Sequence, residues 1–243
     1  MTRALTVGAL LLLASTAWAQ KPTRVRISAN FFKQLSESDV TDTISFSESL
    51  ETASVTSRHA IAAGPGFDVN AGVTIVKNFG VFVGVSRFSK DGTGTIDGQI
   101  PHPFFFAQRR TLSGETPLTR DEFAVHVDAM ILLPLKLRKF EVAVFAGPSF
   151  FSVGEDFVDE GVYADDYPYD SVTFSSAKLT RASKSAVGFN AGADVTYKLT
   201  RSLGVGGLIR ASTAGVDLPN RDAKLVNVSA GGLQVGVGVR LRF

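Results

Sequence analysis

His126 and Asp128 lie two residues apart, with Glu122 four residues before the histidine. A base beside carboxylates is the raw material of acyl transfer, which also needs a nucleophile and a group to orient the base. Serines are common, but no motif ties one to this trio, and the trio shares the inward face of the strand that carries it. No catalytic residue is assigned and the chain is read as non-enzymatic. Residues 155–170 hold Glu155, Asp156, Asp159, Glu160, Asp165, Asp166 and Asp170 with no basic residue among them. Carboxylates suit Ca²⁺, but their spacing fits no EF-hand loop, so the segment is read as a solvated acidic loop. Tyr163, Tyr167 and Tyr169 interleave with these acids, three of the chain's four tyrosines, and suit protein recognition. Gly204-Val-Gly206 and Gly236-Val-Gly238 have no helix after them, so they are not phosphate loops; they make room for bulky neighbours. No metal or cofactor is expected.

Composition closes other routes. The 243 residues contain no cysteine, which removes disulfides, thiolate metal sites and cysteine nucleophiles, and three histidines leave little for a histidine metal site. The net charge is +2, so the chain as a whole is not a polybasic nucleic-acid binder. Residues 1–19 read as a signal peptide: Arg3, an apolar run from Leu5 to Ala14, then the small-x-small site Ala17-Trp18-Ala19. The apolar run is too short for a helical span, which needs about 20 residues. Residues 20–243 then form one domain.

The elements that must position these residues alternate with period two. Leu233, Val235, Val237, Val239, Leu241 and Phe243 share one parity, and Gln234, Gly236, Gly238, Arg240 and Arg242 the other. Val187 to Leu199 does the same, and so do segments beginning near Val25, Phe67, Phe123 and Leu203. Two further segments, 80–90 and 141–153, carry apolar residues on both parities, so their faces stay unassigned. Such runs suit tilted membrane strands, which need about 9–11 residues. Chain links alternate too: short after the second, fourth and sixth segments, long and polar at 36–58, 91–118, 155–184 and 215–223. That pattern predicts an all-β fold, a single closed antiparallel transmembrane barrel of eight strands with short periplasmic turns, long extracellular loops and both termini periplasmic. Ten strands is the alternative, because residues 41–56 could add a hairpin or extend the flanking strands.

The parities assign faces. The apolar parity meets lipid, and Arg at Val237 or Val195 is expected to cost more than Arg at Thr196. The inward parity carries Arg26, Asp68, Glu122, His126, Asp128, Asp194, Lys198, Arg210, Arg240 and Arg242, with Glu141 as a further inward acid. They are read as a polar network plugging the lumen, with an ion path as the alternative. Phe79, Phe140, Tyr197 and Phe243 mark an aromatic girdle at the short-turn end. Pro101-His-Pro-Phe-Phe-Phe106 is read as the outer girdle, the alternative being an exposed patch at a loop tip.

The whole mature chain resembles the bacterial outer-membrane β-barrel domain family, small barrels akin to opacity proteins and the OmpA and OmpW groups. The resemblance rests on the strand pattern, on Val239, Leu241, Arg242 and Phe243 as a C-terminal assembly signal, and on the segments 184–194 and 100–106. It implies a Gram-negative outer-membrane location and contact with outer-membrane lipid and lipopolysaccharide. It further implies recognition of the last strand by the barrel-assembly machinery. The implied role is structural or surface-interacting, carried by the loops, through which an extracellular protein would bind as ligand. A narrow porin-like or OmpW-like channel is the alternative, and a lipid-acting enzyme a distant one. Nucleic acid is not an expected partner.

Overall fold

A computed structural model describes residues 25–135, 137 and 139–243. The expected signal peptide lies outside them. Ten strands make up the described chain: β1 (Val25–Gln34), β2 (Ser38–Glu48), β3 (Glu51–Ile61), β4 (Gly64–Val76), β5 (Phe79–Pro101), β6 (Arg109–Leu133), β7 (Phe140–Asp166), β8 (Ser171–Lys198), β9 (Leu203–Pro219) and β10 (Leu225–Arg242).

Eight of them close a ring. β1 pairs with both β4 and β10, and antiparallel ladders run from β4 through β5, β6, β7, β8 and β9 to β10. Closure leaves no free edge around the ring. The remaining two strands, β2 and β3, form a hairpin inserted between β1 and β4. β3 pairs Ser54–His59 with Gln99–Gly94 of β5, so β5 has β4 as its neighbour low down and β3 higher up. Eight strands in the ring and ten in total are therefore both present, at different heights.

The outward face of the ring's lower part is apolar on every strand. Phe31, Phe67, Val83, Val127, Phe150, Val195, Ile209 and Val237 are all exposed members of this belt. The two unassigned segments obey the same rule: Val81, Val83 and Val85 point out from β5 while Phe82, Ser86 and Phe88 are buried, and in β7 the buried residues are Ala143, Phe145, Ser149, Phe151 and Val153.

The long polar links expected at 91–118 and 155–184 are corrected by the structure. They are the upper halves of β5–β6, paired residue by residue up to Pro101–Arg109, and of β7–β8, paired with two register shifts up to Asp166–Ser171. Their outward residues are polar (Asp91, Thr93, Thr95 and Asp97 on β5). Their inward residues include buried Ile96, Ile100, Leu112 and Leu118. Val158 and the half-buried Tyr163, Val172 and Phe174 of the β7–β8 hairpin pack over that inner face together with Ile44 and Val55 of β2–β3. The barrel wall thus continues upward as a second storey with a core of ordinary soluble-protein polarity.

Inside, large side chains sit where the neighbouring strands supply glycine. Phe32 of β1 lies opposite Gly66 of β4 and Gly236 of β10. A Cβ at Gly236 would stand 2.9 Å from Phe32 Cβ, and one at Gly66 would overlap the Phe32 ring. The glycine fragments read from the sequence therefore act as seats for lumen side chains.

Candidate functional site: a layered lumen and a hairpin crown

The lumen is stacked in layers. At the short-turn end, Glu141 accepts Arg26 at 2.7 Å, Lys198 at 3.0 Å and Arg242 at 2.5 Å. Above it Arg240 pairs with Asp194 at 2.6 Å, and Thr196 donates to Asp194 at 3.1 Å. Thr196 is fully buried. Position 196 is inward, as its parity indicates, and the space around it is filled. An apolar layer of Phe82, Met130, Leu132, Ala143, Phe145 and Leu208 follows, with Phe82 and Phe145 stacked at 5.5 Å.

The next layer holds Arg210 and Asp68, 3.0 Å apart and both wholly shielded from solvent. Asn30 donates to Asp68 at 2.5 Å, and Asn70 donates to Asp68 at 2.9 Å while accepting from Arg210 at 2.9 Å. Asp128 forms no ion pair among the described residues; Asn190 bonds it at 2.7 Å. His126 bonds Ser86 at 3.0 Å through Nε2 and Ser149 at 2.8 Å through Nδ1, and Ser149 continues to Asn190 at 2.9 Å. The pieces of a serine–histidine relay are thus in contact, but Ser86, His126 and Ser149 are all buried. A relay must reach a substrate atom about 3 Å away to act; this one meets only other lumen side chains.

A further charged cluster was not anticipated from the sequence. Arg120 bonds Glu122 at 2.8 Å and lies 3.6 Å from Glu155, which in turn meets His59 Nδ1 at 2.6 Å. The Gly231 N–H, turned inward by a φ of 86° that favours glycine, donates to the other oxygen of Glu122. All four side chains are buried. Arg120 was legible in principle, since it continues the inward parity of Glu122; its partner Glu155 was hidden in the segment read as a loop.

That segment needs a second correction. The acids of 155–170 are not a free acidic loop, because cations from elsewhere in the chain reach most of them. Arg181 pairs with Asp156 at 2.9 Å, Lys178 with Glu160 at 2.7 Å and Arg110 with Asp165 at 2.5 Å. The Lys178 ammonium holds the exposed Glu160 carboxyl below its ordinary range. Tyr163 belongs to β7 and is half-buried, and that burial pushes its phenol up; it is not part of an exposed tyrosine cluster.

Tyr167 and Tyr169 do sit at the β7–β8 tip, and they meet the tip of β5–β6. Phe104 packs edge-on against Tyr169 at 5.2 Å, and Tyr167 against Tyr169 at 6.0 Å. Arg110, almost fully buried, joins the two hairpins by bonding Asp165 and the carbonyl of Tyr169. Phe104, Phe105 and Phe106 are 60–83% exposed and Tyr167 is 88% exposed. The 101–106 segment is therefore a hairpin tip far above the belt, and the reading of it as an outer membrane girdle is corrected. At the opposite end Phe79, Phe140, Tyr197 and Phe243 do lie beside the short turns, with Phe140 edge-on to Tyr197 at 5.2 Å.

No protein-family model and no curated protein matches this chain. Among solved structures it is similar to the outer membrane protein OprG from Pseudomonas aeruginosa (12% identity, TM-score 0.49), over 93% of this chain and 98% of OprG. It is similar to Neisserial surface protein A at 14% identity and TM-score 0.45, over 91% of this chain and 97% of that one. The outer membrane protease OmpT from Escherichia coli aligns at 9% identity and TM-score 0.45, over 92% of this chain and 99% of that one. At such identities no residue role carries over from any of them.

Proposed function

We propose that the chain is an integral outer-membrane barrel with a plugged lumen, whose working surface is the crown formed by the hairpin tips. The observation that carries this reading is the division of one continuous wall into two surfaces. The lower wall is apolar outside, as lipid demands, and alternates ionic and apolar layers inside. The upper wall is polar outside and packs a mainly apolar cluster inside, as water demands. A wall built this way stands in a bilayer with its upper storey in solution.

Support for a surface role comes from the crown. Exposed aromatics on a locked pair of hairpins offer contact area without an ordering cost on binding. Leu50, at the β2–β3 tip, is 98% exposed and held at a φ of 66°, a conformation that a Leu rarely adopts. The partner class this suits is an extracellular protein. The short turns then face the periplasm, in keeping with the usual arrangement of such barrels. Lipopolysaccharide contact at the belt's upper rim and recognition of β10 by the assembly machinery belong to the same reading.

The chain has no native cysteine, so single introduced thiols report cleanly on which end is outside. In intact Gram-negative cells, Phe105→Cys is expected to react with a membrane-impermeant maleimide. Ser202→Cys, in the β8–β9 turn, is expected to react only after the outer membrane is permeabilised. Labelling of Ser202→Cys but not Phe105→Cys in intact cells would invert the orientation, and labelling of neither would remove the surface role.

A further inference from the structure

The short-turn end of the barrel opens into a cavity of about 440 Å³ whose charges do not balance. Among the described residues, four cationic side chains, Arg26, Lys198, Arg201 and Arg242, line it against one acidic side chain, Glu141, and the carboxyl group of Phe243, which leaves the cations in excess. Three of those cations already converge on Glu141, whose one negative charge cannot neutralise them. The next layer inward brings no relief, since Asp194 is matched by its own partner Arg240.

Hydrogen bonding is also incomplete there. The Arg26 side chain is only 8% exposed, yet its Nη1 has no partner among the described residues. Thr74, on the same cavity wall, keeps a buried hydroxyl without a partner as well. A buried guanidinium nitrogen left unbonded is costly, and a bound group that accepts from it recovers that cost. Ser202, also on the cavity wall, carries a further hydroxyl.

We propose that this vestibule binds a phosphate group. A compact group carrying more than one negative charge answers the cation excess in a way a second lone carboxylate would not. Its several oxygens can take the fork of a guanidinium together with a hydroxyl donor. The low-dielectric barrel wall concentrates the field of these cations at the opening. The same chemistry is offered by a soluble phosphate or diphosphate compound and by a phospholipid headgroup in the adjacent leaflet. The site does not depend on which membrane face the turns occupy, nor on what the crown binds.

The test is titration of the folded, unmutated chain in phosphatidylcholine vesicles with inorganic pyrophosphate at low ionic strength, read by calorimetry or ³¹P resonance. One saturable site is expected, weakening as salt is raised. Arg201→Gln removes a turn cation without touching a buried partner and is expected to weaken binding about fivefold. Thr74→Val is expected to weaken it too, whereas Phe105→Ser at the crown leaves it unchanged. Repeating the titration in vesicles containing phosphatidylglycerol separates the sources: a fall in apparent affinity assigns the site to a lipid headgroup, and an unchanged affinity assigns it to a soluble phosphate. Absence of saturable binding in phosphatidylcholine, or equal affinity in the unmutated chain and Arg201→Gln, would overturn the proposal.

Discussion

Replacing Arg210 with methionine is expected to destabilise the barrel by about 3–5 kcal/mol, because it strands a buried carboxylate. Arg210 and Asp68 are both wholly inaccessible, and each is the other's only ion-pair partner among the described residues. Asn30 and Asn70 can donate to Asp68 but cannot cancel its charge. Asp68→Asn should therefore rescue Arg210→Met in part: an amide keeps an oxygen for Asn30 while shedding the charge. In urea titrations of the protein folded into vesicles, the double variant is expected to be more stable than Arg210→Met alone. If the single changes simply add, the two groups are not coupled and the layer is held by packing instead.

Placing arginine at Val237 is expected to cost about 2–4 kcal/mol, the range for a cation on the lipid face near the midplane. Val237 is 68% exposed on β10, flanked by the exposed Val235 and Val239 on the same face. Thr95→Arg, on the outward face of β5 above the belt, should shift stability by no more than about 0.5 kcal/mol. The two positions are both exposed and both on strands; only the medium they face differs. Equal effects in the same vesicles would mean that the belt is not in lipid.

That change of medium explains what the sequence made legible. Along the lower strands the apolar parity points outward, and its regularity in Val187–Leu199 and Leu233–Phe243 exposed the ring, its eight strands and its inward charges. On β5 the apolar residues then move from odd positions (Val81, Val83, Val85) to even ones (Ile96, Ile100). On β6 they lie at even positions in the upper half (Leu112, Leu118) and at odd ones in the lower (Phe123, Val125, Val127). The parity inverts because the upper storey buries its apolar side inward, away from water. A pattern sought in a single phase ends at the inversion, and the rest of the strand resembles a polar loop. The β2–β3 hairpin was visible in the alternation of Ile44 and Phe46 with serines, but not its docking on β5.

The charge network was legible only by half. Inward parity identified Arg26, Asp68, Asp194, Arg210 and Arg240, but partners lie on strands distant in the chain: Arg210 meets Asp68 across 142 residues. The acids of 155–170 looked unpaired for the same reason, since Arg110, Arg120 and Arg181 reach them from other strands or the far arm of the hairpin. Ser86 and Ser149, which flank His126, carry no motif that sets them apart from the chain's many other serines.

Planar-bilayer recording of the purified, unmutated protein bears most directly on the filled lumen. Stacked ionic and apolar layers from Glu141 up to the Arg120–Glu155 cluster occupy the space that a continuous water column needs. The expected trace is flat, with at most rare and brief openings at any applied voltage. Stable, ohmic, single-step conductance would contradict a plugged barrel and establish a channel in its place.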